Sequence, residues 1–114
     1  MASTSGLLLD FRPYADLLLR LARQYGSSAY RITSAYRSYA QQQRLYEAYL
    51  RGESGGLPAA RPGTSAHERG AAIDIARADV NALDDPFLVA LGGAWKAAGG
   101  IWGASDPVHF EWPL

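Results

Sequence analysis

The 114-residue sequence contains no cysteine. That absence excludes a disulfide framework and every thiolate metal site, and leaves imidazole and carboxylate as the side chains able to hold a transition metal. Histidine is scarce too, with two in the chain. No charge predominates: eleven Lys and Arg stand against eleven Asp and Glu, so there is no basic arm for nucleic acid and the net charge names no partner. A long apolar run is also missing. The N-terminal MASTSGLLLDFRP holds three leucines in succession with no positive region before them, which fits neither a secretion signal nor a membrane span.

What is present is enough for a core. The chain is 48% hydrophobic and 11% aromatic, which disfavours disorder and collagen-like repeats. A chain of this length buries about two-thirds of its unfolded surface. We expect one domain spanning residues 1–114, because neither a repeat nor an interdomain linker is visible.

Over residues 13–25, Tyr14, Leu17, Leu18, Leu21 and Tyr25 recur at helical spacing, which predicts an amphipathic helix with Pro13 in its first turn and Gly26 as a left-handed stop. Residues 30–37 form a short β-favouring run around Ile32, Thr33 and Tyr36. Ser38 with Gln41 three residues on reads as a capping box that opens a second helix reaching Leu50, with Tyr39, Tyr46, Tyr49 and Leu50 close to one face. Residues 52–64, GESGGLPAARPGT, are too rich in glycine and proline for regular structure, and such a loop can border a binding cleft.

The alternation of residues 71–76 predicts a strand with Ile73 and Ile75 on one face and Ala72, Asp74 and Ala76 on the other. Asp85 and Pro86 cap and open a third helix carrying Phe87, Leu88, Leu91, Ala94, Trp95 and Ala98, which Gly99-Gly100 ends. Gly92-Gly93 weakens it in the middle, a concession to close packing. Ile101-Trp102 and residues 108–112 read as closing strands, with Val108, Phe110 and Trp112 on one face and His109 and Glu111 on the other. The element order predicts an α+β domain, helices packed on a small, mostly antiparallel sheet.

Both histidines sit beside carboxylates, in SAHERGAAID and DPVHFEW. A lone His-Asp pair is ordinarily a surface hydrogen bond, but here both histidines have such neighbours. Two adjacent strands place Asp74 and His109 on one side of the sheet, and His67, just before the flexible Gly70, can fold back over them. Catalytic zinc commonly takes three N and O ligands and keeps a fourth position for water, whose pKa falls to about 7. A four-ligand structural site including Asp106 is disfavoured, since Pro107 tends to hold Asp106 extended and out of line with His109. Trp102 and Trp112 read as core and rim packing, and Glu68 and Arg69 as exposed.

Ser65-x-His67-x-x-Gly70-x-Ala72-x-Asp74 followed by Asp106-x-x-His109 resembles the paired signature of the zinc D,D-carboxypeptidase and L-alanyl-D-glutamate endopeptidase family, which shares its fold with Hedgehog signalling domains. The resemblance extends upstream to Ser34-Ala35-Tyr36-Arg37-Ser38, with Gln43 and Leu45-Tyr46 after it; Ala35 replaces the usual glycine. It implies that His67, Asp74 and His109 bind Zn2+ and that Asp106 is the general base acting on the metal-activated water. It also implies a substrate-binding role for Ser65. Arg37 is expected to stabilise a developing oxyanion or clamp a substrate carboxylate, and Glu111 to support a ligand from behind.

Asp106 followed by His-Phe-Glu looks more like the phage and bacterial endopeptidase branch than the carboxypeptidase branch with its Glu-x-Trp-His form. The implied activity is therefore hydrolysis of the peptidoglycan stem peptide between L-Ala and D-Glu, as an endolysin would perform it. Removal of a terminal D-Ala, or a zinc-containing wall-binding or tail module without turnover, are the alternatives. The expected partner is bacterial peptidoglycan, with no nucleic acid, no membrane and a monomeric state. With no signal peptide recognised, the protein is expected to be made in the cytoplasm and to reach the wall by phage-type release or as a virion component.

Overall fold

In the computed structural model, which describes residues 1–114, β2 (Ala72–Ala76) is the middle strand of a three-stranded antiparallel sheet. β1 (Arg31–Ser34) and β3 (His109–Glu111) flank it. Alternation decides what each face carries. Ile32, Ile73, Ile75 and Phe110 point into the core and are at most 1% exposed. α1 (Arg12–Leu21) and α3 (Pro86–Ala97) supply Ala15, Leu18, Leu88, Leu91 and Trp95 to that same core. The opposite face of β2 and β3 carries Asp74, His109 and Glu111, each partly exposed. The expected α+β arrangement of helices on a small antiparallel sheet is what the structure has.

The first helix starts as its sequence requires, with Pro13 in the first turn, but it ends differently. After Leu21 it widens into a π turn, Ala22–Gly26, where the Ser27 amide donates to the Ala22 carbonyl at 2.9 Å. Gly26 is not left-handed. A Cβ there would stand 2.8 Å from Tyr30 Cε2 and 2.9 Å from Phe87 Cδ2, so what the position needs is space rather than an unusual φ.

α2 (Tyr39–Leu50) opens on the expected capping box: Ser38 Oγ accepts from the Gln41 amide at 3.2 Å, and Gln41 Oε1 from the Ser38 amide at 2.8 Å. Its expected apolar face is not buried. Tyr39, Tyr49 and Leu50 are exposed and Tyr46 only half-buried, while the residue that points inward is Gln42. Tyrosine tolerates this because its polar tip stays wet.

α3 is anchored by Asp85. Its Oδ1 accepts from the Phe87 and Leu88 amides at 3.0 and 3.3 Å, and its Oδ2 accepts from the Tyr30 hydroxyl at 2.7 Å. Ala94 and Ala98, expected on the inward face, are exposed. Gly92 does serve close packing, because the Trp102 indole occupies the space a Cβ would need, whereas Gly93 faces open space. Gly99, at φ +104°, follows the helix in the left-handed region. Ile101 and Trp102 do not make a full strand; Ile101 alone bridges Glu111. Phe11, Tyr14, Trp95 and Trp112 pack as one aromatic group with ring centroids 5.2 to 6.5 Å apart, so Trp112 is a packing residue. No helix is long and apolar enough to cross a membrane.

Burial, reinforced by the hydrogen bond and charge of Asp85, raises the Tyr30 hydroxyl from its ordinary pKa of 10.0 to about 12. The folded protein thus holds a proton that the unfolded chain releases above pH 10. Stability is full below that pH and falls by about 2–3 kcal/mol as pH rises from 10 to 12. In urea titrations Tyr30→Phe should remove this alkaline fall. Asp85→Ala, which loses a helix cap and orphans a buried hydroxyl, should cost about 2–4 kcal/mol at neutral pH in the same assay.

Candidate metal centre and its cleft

The β2–β3 register sets Asp74 directly opposite His109, with both side chains on the sheet's outer face. His67 arrives on a short 3₁₀ turn, Ala66–Arg69. Ser65 opens that turn, its Oγ accepting from the His67 amide at 3.2 Å, and Gly70 closes it at φ +68°. Glycine is needed at 70 twice over, because a Cβ would also lie 2.7 Å from the Gly6 carbonyl oxygen. The chain therefore folds back as expected. His67 Nε2 lies 3.1 Å from Asp74 Oδ1 and His109 Nδ1 lies 3.4 Å from the same oxygen. The potential ligand atoms of the three residues all fall within 4.8 Å of one another.

The other ring nitrogens decide what these contacts mean. His67 Nδ1 is 2.7 Å from the Ala35 carbonyl oxygen, which only accepts, so this nitrogen carries the proton. His109 Nε2 lies 2.9 Å from Glu111 Oε1 and donates likewise. In their neutral forms both imidazoles then aim a lone pair at a carboxylate oxygen that also carries lone pairs. Only a proton or a metal cation among them makes that arrangement favourable. Tetrahedral zinc with bonds of about 2.0–2.1 Å places neighbouring ligand atoms about 3.3 Å apart, close to the two contacts with Asp74. The donor set, two imidazoles and one carboxylate, fits Zn2+.

The second oxygen of Asp74 is also engaged: Arg37 Nη2 donates to Oδ2 at 2.8 Å. Arg37 Nε donates to Ser34 Oγ at 2.7 Å and Nη1 to Gln42 Oε1 at 3.0 Å. Burial alone would raise the Asp74 pKa, but the hydrogen bonds from His109 and His67 and the charges of His67 and Arg37 outweigh it and hold the carboxyl well below the usual carboxylate range. Burial works against a charged His109, yet its hydrogen bonds with Asp74 and Glu111 prevail and lift it to about 9. Asp106 goes the other way. Burial, and then the negative charge of Asp74, push its pKa up against the pull of His109, His67 and Arg37.

These groups line one cleft of about 580 Å3, to which Arg37, Gln42, Ser65, His67, Asp74, Asp106, His109 and Glu111 all contribute. Glu53, Ser54 and residues 57–60 of the glycine- and proline-rich loop form a wall of it. A turn bond from the His109 amide to the Asp106 carbonyl, 3.0 Å, sets Asp106 next to the last strand. Ser65 is buried and its hydroxyl oxygen is engaged in capping. Glu68, expected to be exposed, is half-buried: its carboxylate accepts from the Gly63 amide at 2.8 and 2.9 Å and from the Ser65 amide at 3.4 Å. Arg69 is exposed.

Two participants were not picked out from sequence. One is the Ala35 carbonyl, a backbone group that no side-chain motif reveals. The other is Gln42; the neighbouring Gln43, which belongs to the motif resemblance, points to solvent and bonds Glu47.

A profile of the family described as VanY, D-alanyl-D-alanine carboxypeptidase, matches residues 11–98. That span contains Arg37, Gln42, Ser65, His67 and Asp74 and stops before Asp106 and His109. No curated protein matches in sequence. Among solved structures, VanYB in complex with D-alanine-D-alanine is 22% identical with a TM-score of 0.68, over 93% of this chain and 71% of that one. A mutant of the vancomycin-resistance D,D-pentapeptidase VanY in complex with Zn(II) is 20% identical with a TM-score of 0.65, over 93% and 72%. The L,D-carboxypeptidase DacB from Streptococcus pneumonia is 21% identical with a TM-score of 0.68, over 96% and 67%. These likenesses agree with the helices-on-sheet fold, and the profile assigns membership: the chain belongs to the VanY D-alanyl-D-alanine carboxypeptidase family, a peptidase of the class that acts on peptidoglycan.

Proposed function

We propose that this protein is a zinc-dependent hydrolase of the peptidoglycan stem peptide, in which His67, Asp74 and His109 hold the metal and Asp106 is the general base. The observation that carries the reading is the convergence of two imidazole lone pairs on Asp74 Oδ1 inside a cleft that also contains Asp106. The Zn(II) bound by the VanY pentapeptidase mutant supports it. When bound, zinc supplies a Lewis acid that polarises the scissile carbonyl and acidifies water.

The protein's own groups supply the rest. Asp106, with its proton affinity raised by burial and by Asp74, suits a carboxylate that accepts a proton from the attacking water and returns it to the leaving amine. Glu111 keeps His109 in the tautomer whose Nδ1 is free. Arg37 orients Asp74 and retains two of its five N–H groups for a substrate oxygen. Ser65 Oγ accepts from the His67 amide, which leaves its own O–H to donate to a substrate carbonyl.

As the bond cleaved we propose the one between L-Ala and D-Glu. A carboxypeptidase must neutralise a free terminal carboxylate, yet Arg37 is the one arginine or lysine lining this cleft and three of its N–H groups are already committed. An endopeptidase has no such requirement. The second reading, release of a terminal D-Ala, is favoured by the family description and by the D-Ala-D-Ala complex of VanYB.

Mass spectrometry of digested peptidoglycan separates the two. The first reading yields stem peptides freed from a glycan-linked L-Ala, whereas free D-Ala in the digest would establish the second. Chelation should abolish hydrolysis and added zinc restore it; wall turnover that survives complete zinc removal would sink the metallopeptidase reading. Asp106→Asn should lower kcat by about 10²- to 10⁴-fold while the protein still binds zinc. His67→Ala should fail to retain the metal, as metal analysis of the purified variant would show.

A further inference from the structure

We propose that Gln42 is a positioning residue that ties the cleft's loop to the Arg37–Asp74 ion pair. Gln42 is the one buried residue of α2 and is 1% exposed. Its two amide ends do different work: Oε1 accepts from Arg37 Nη1 at 3.0 Å and Nε2 donates to the Ala60 carbonyl at 2.9 Å. A guanidinium only donates and a carbonyl only accepts, so the orientation of the amide is forced by its neighbours. A glutamate at this position keeps the acceptor and loses the donor. A methionine keeps the length and loses both.

The loop depends on this contact. Its ends are held by the Glu53 amide on the Ala48 carbonyl, 2.9 Å, and by the Gly63 amide on the Glu68 carboxylate. Between them, Ser54 bonds with Leu57 and Arg61 with Thr64, all within the loop. The bond from Gln42 to Ala60 is the one hydrogen bond that joins residues 54–62 to anything beyond the loop of residues 52–64. Those residues carry Ser54, Leu57, Pro58, Ala59 and Ala60 into the cleft wall. Contact of a substrate with that wall is therefore mechanically linked, through a single buried amide, to the guanidinium that orients Asp74.

The inference rests on the peptidase reading for its kinetic readout alone. Amide hydrogen exchange at Leu57, the one hydrogen-bonded backbone amide of residues 54–62, in metal-free protein, zinc release to a competing chelator, and kcat and KM on purified stem peptide would be measured for wild type, Gln42→Met and Gln42→Glu. Gln42→Met should speed loop exchange and zinc release by about tenfold each and raise KM, the loss expected when a buried partner of a charged group is removed. Gln42→Glu should speed loop exchange similarly and raise KM, but release zinc at close to the wild-type rate, because Arg37 keeps its acceptor. Unchanged loop exchange in Gln42→Met, or equal zinc release from the two variants, overturns the proposal. If Gln42→Met does not fold, Gln42→Glu against wild type decides through the loop exchange. Should wild type leave the stem peptide intact, the proposed function fails, and the exchange measurement still decides the role of Gln42.

Discussion

One carboxylate oxygen organises this molecule. Asp74 Oδ1 faces two imidazole nitrogens while Oδ2 is held by Arg37, and the side chain is only 15% exposed. A buried carboxylate is tolerable only when paired and hydrogen-bonded. Arg37 balances its charge, yet unless a proton or a metal ion lies between them the imidazoles aim lone pairs at it. The site is therefore built to attract a cation, and each surrounding hydrogen bond serves that end: Ala35 and Glu111 hold the ring protons on the far side, and Ser34 and Gln42 hold the guanidinium.

The sheet is what makes that convergence possible. Strand pairing sets Asp74 against His109 on one side and Ser34 on the other. A slip of one residue would turn Asp74 into the core and expose Ile73 and Ile75, so the same isoleucines that drive folding also fix the register that brings Asp74 and His109 together. The core reaches the site a second way. The Trp95 indole donates to the Glu111 carbonyl at 3.0 Å, linking the aromatic cluster behind the sheet to the residue that orients His109.

Where local chemistry alone determines structure, the sequence was readable. Ser38 with Gln41, Asp85 before Pro86, the alternation around Asp74 and the glycine at position 70 each follow from short-range rules that the fold obeys. The convergence of His67, Asp74 and His109 was legible for a different reason: with two histidines and no cysteine the chain has few other ways to assemble a site. What escaped was tertiary. The tyrosines of α2 read as an apolar face, yet their hydroxyl ends let most of them stay in water, and a polar residue between them turned inward to meet Arg37. Gly26 was read for its backbone freedom when its role is to make room for Tyr30, just before the first strand, and for Phe87 on a distant helix. Glu68 looked solvated because its partners are backbone amides of the preceding loop.

The loop over residues 53–63 is fastened at both ends and once near Ala60, while His67, Asp74 and His109 all lie outside it, on the turn and strands that follow. Lengthening a flexible loop is cheap, with each doubling costing only about 0.6 kcal/mol in closure entropy. Insertions between these fastenings can therefore remodel the cleft wall while leaving the sheet register and the convergence on Asp74 untouched. The architecture separates a part free to diverge from a part that is not: the cleft wall can change through the loop over evolutionary time while the geometry around Asp74 stays fixed.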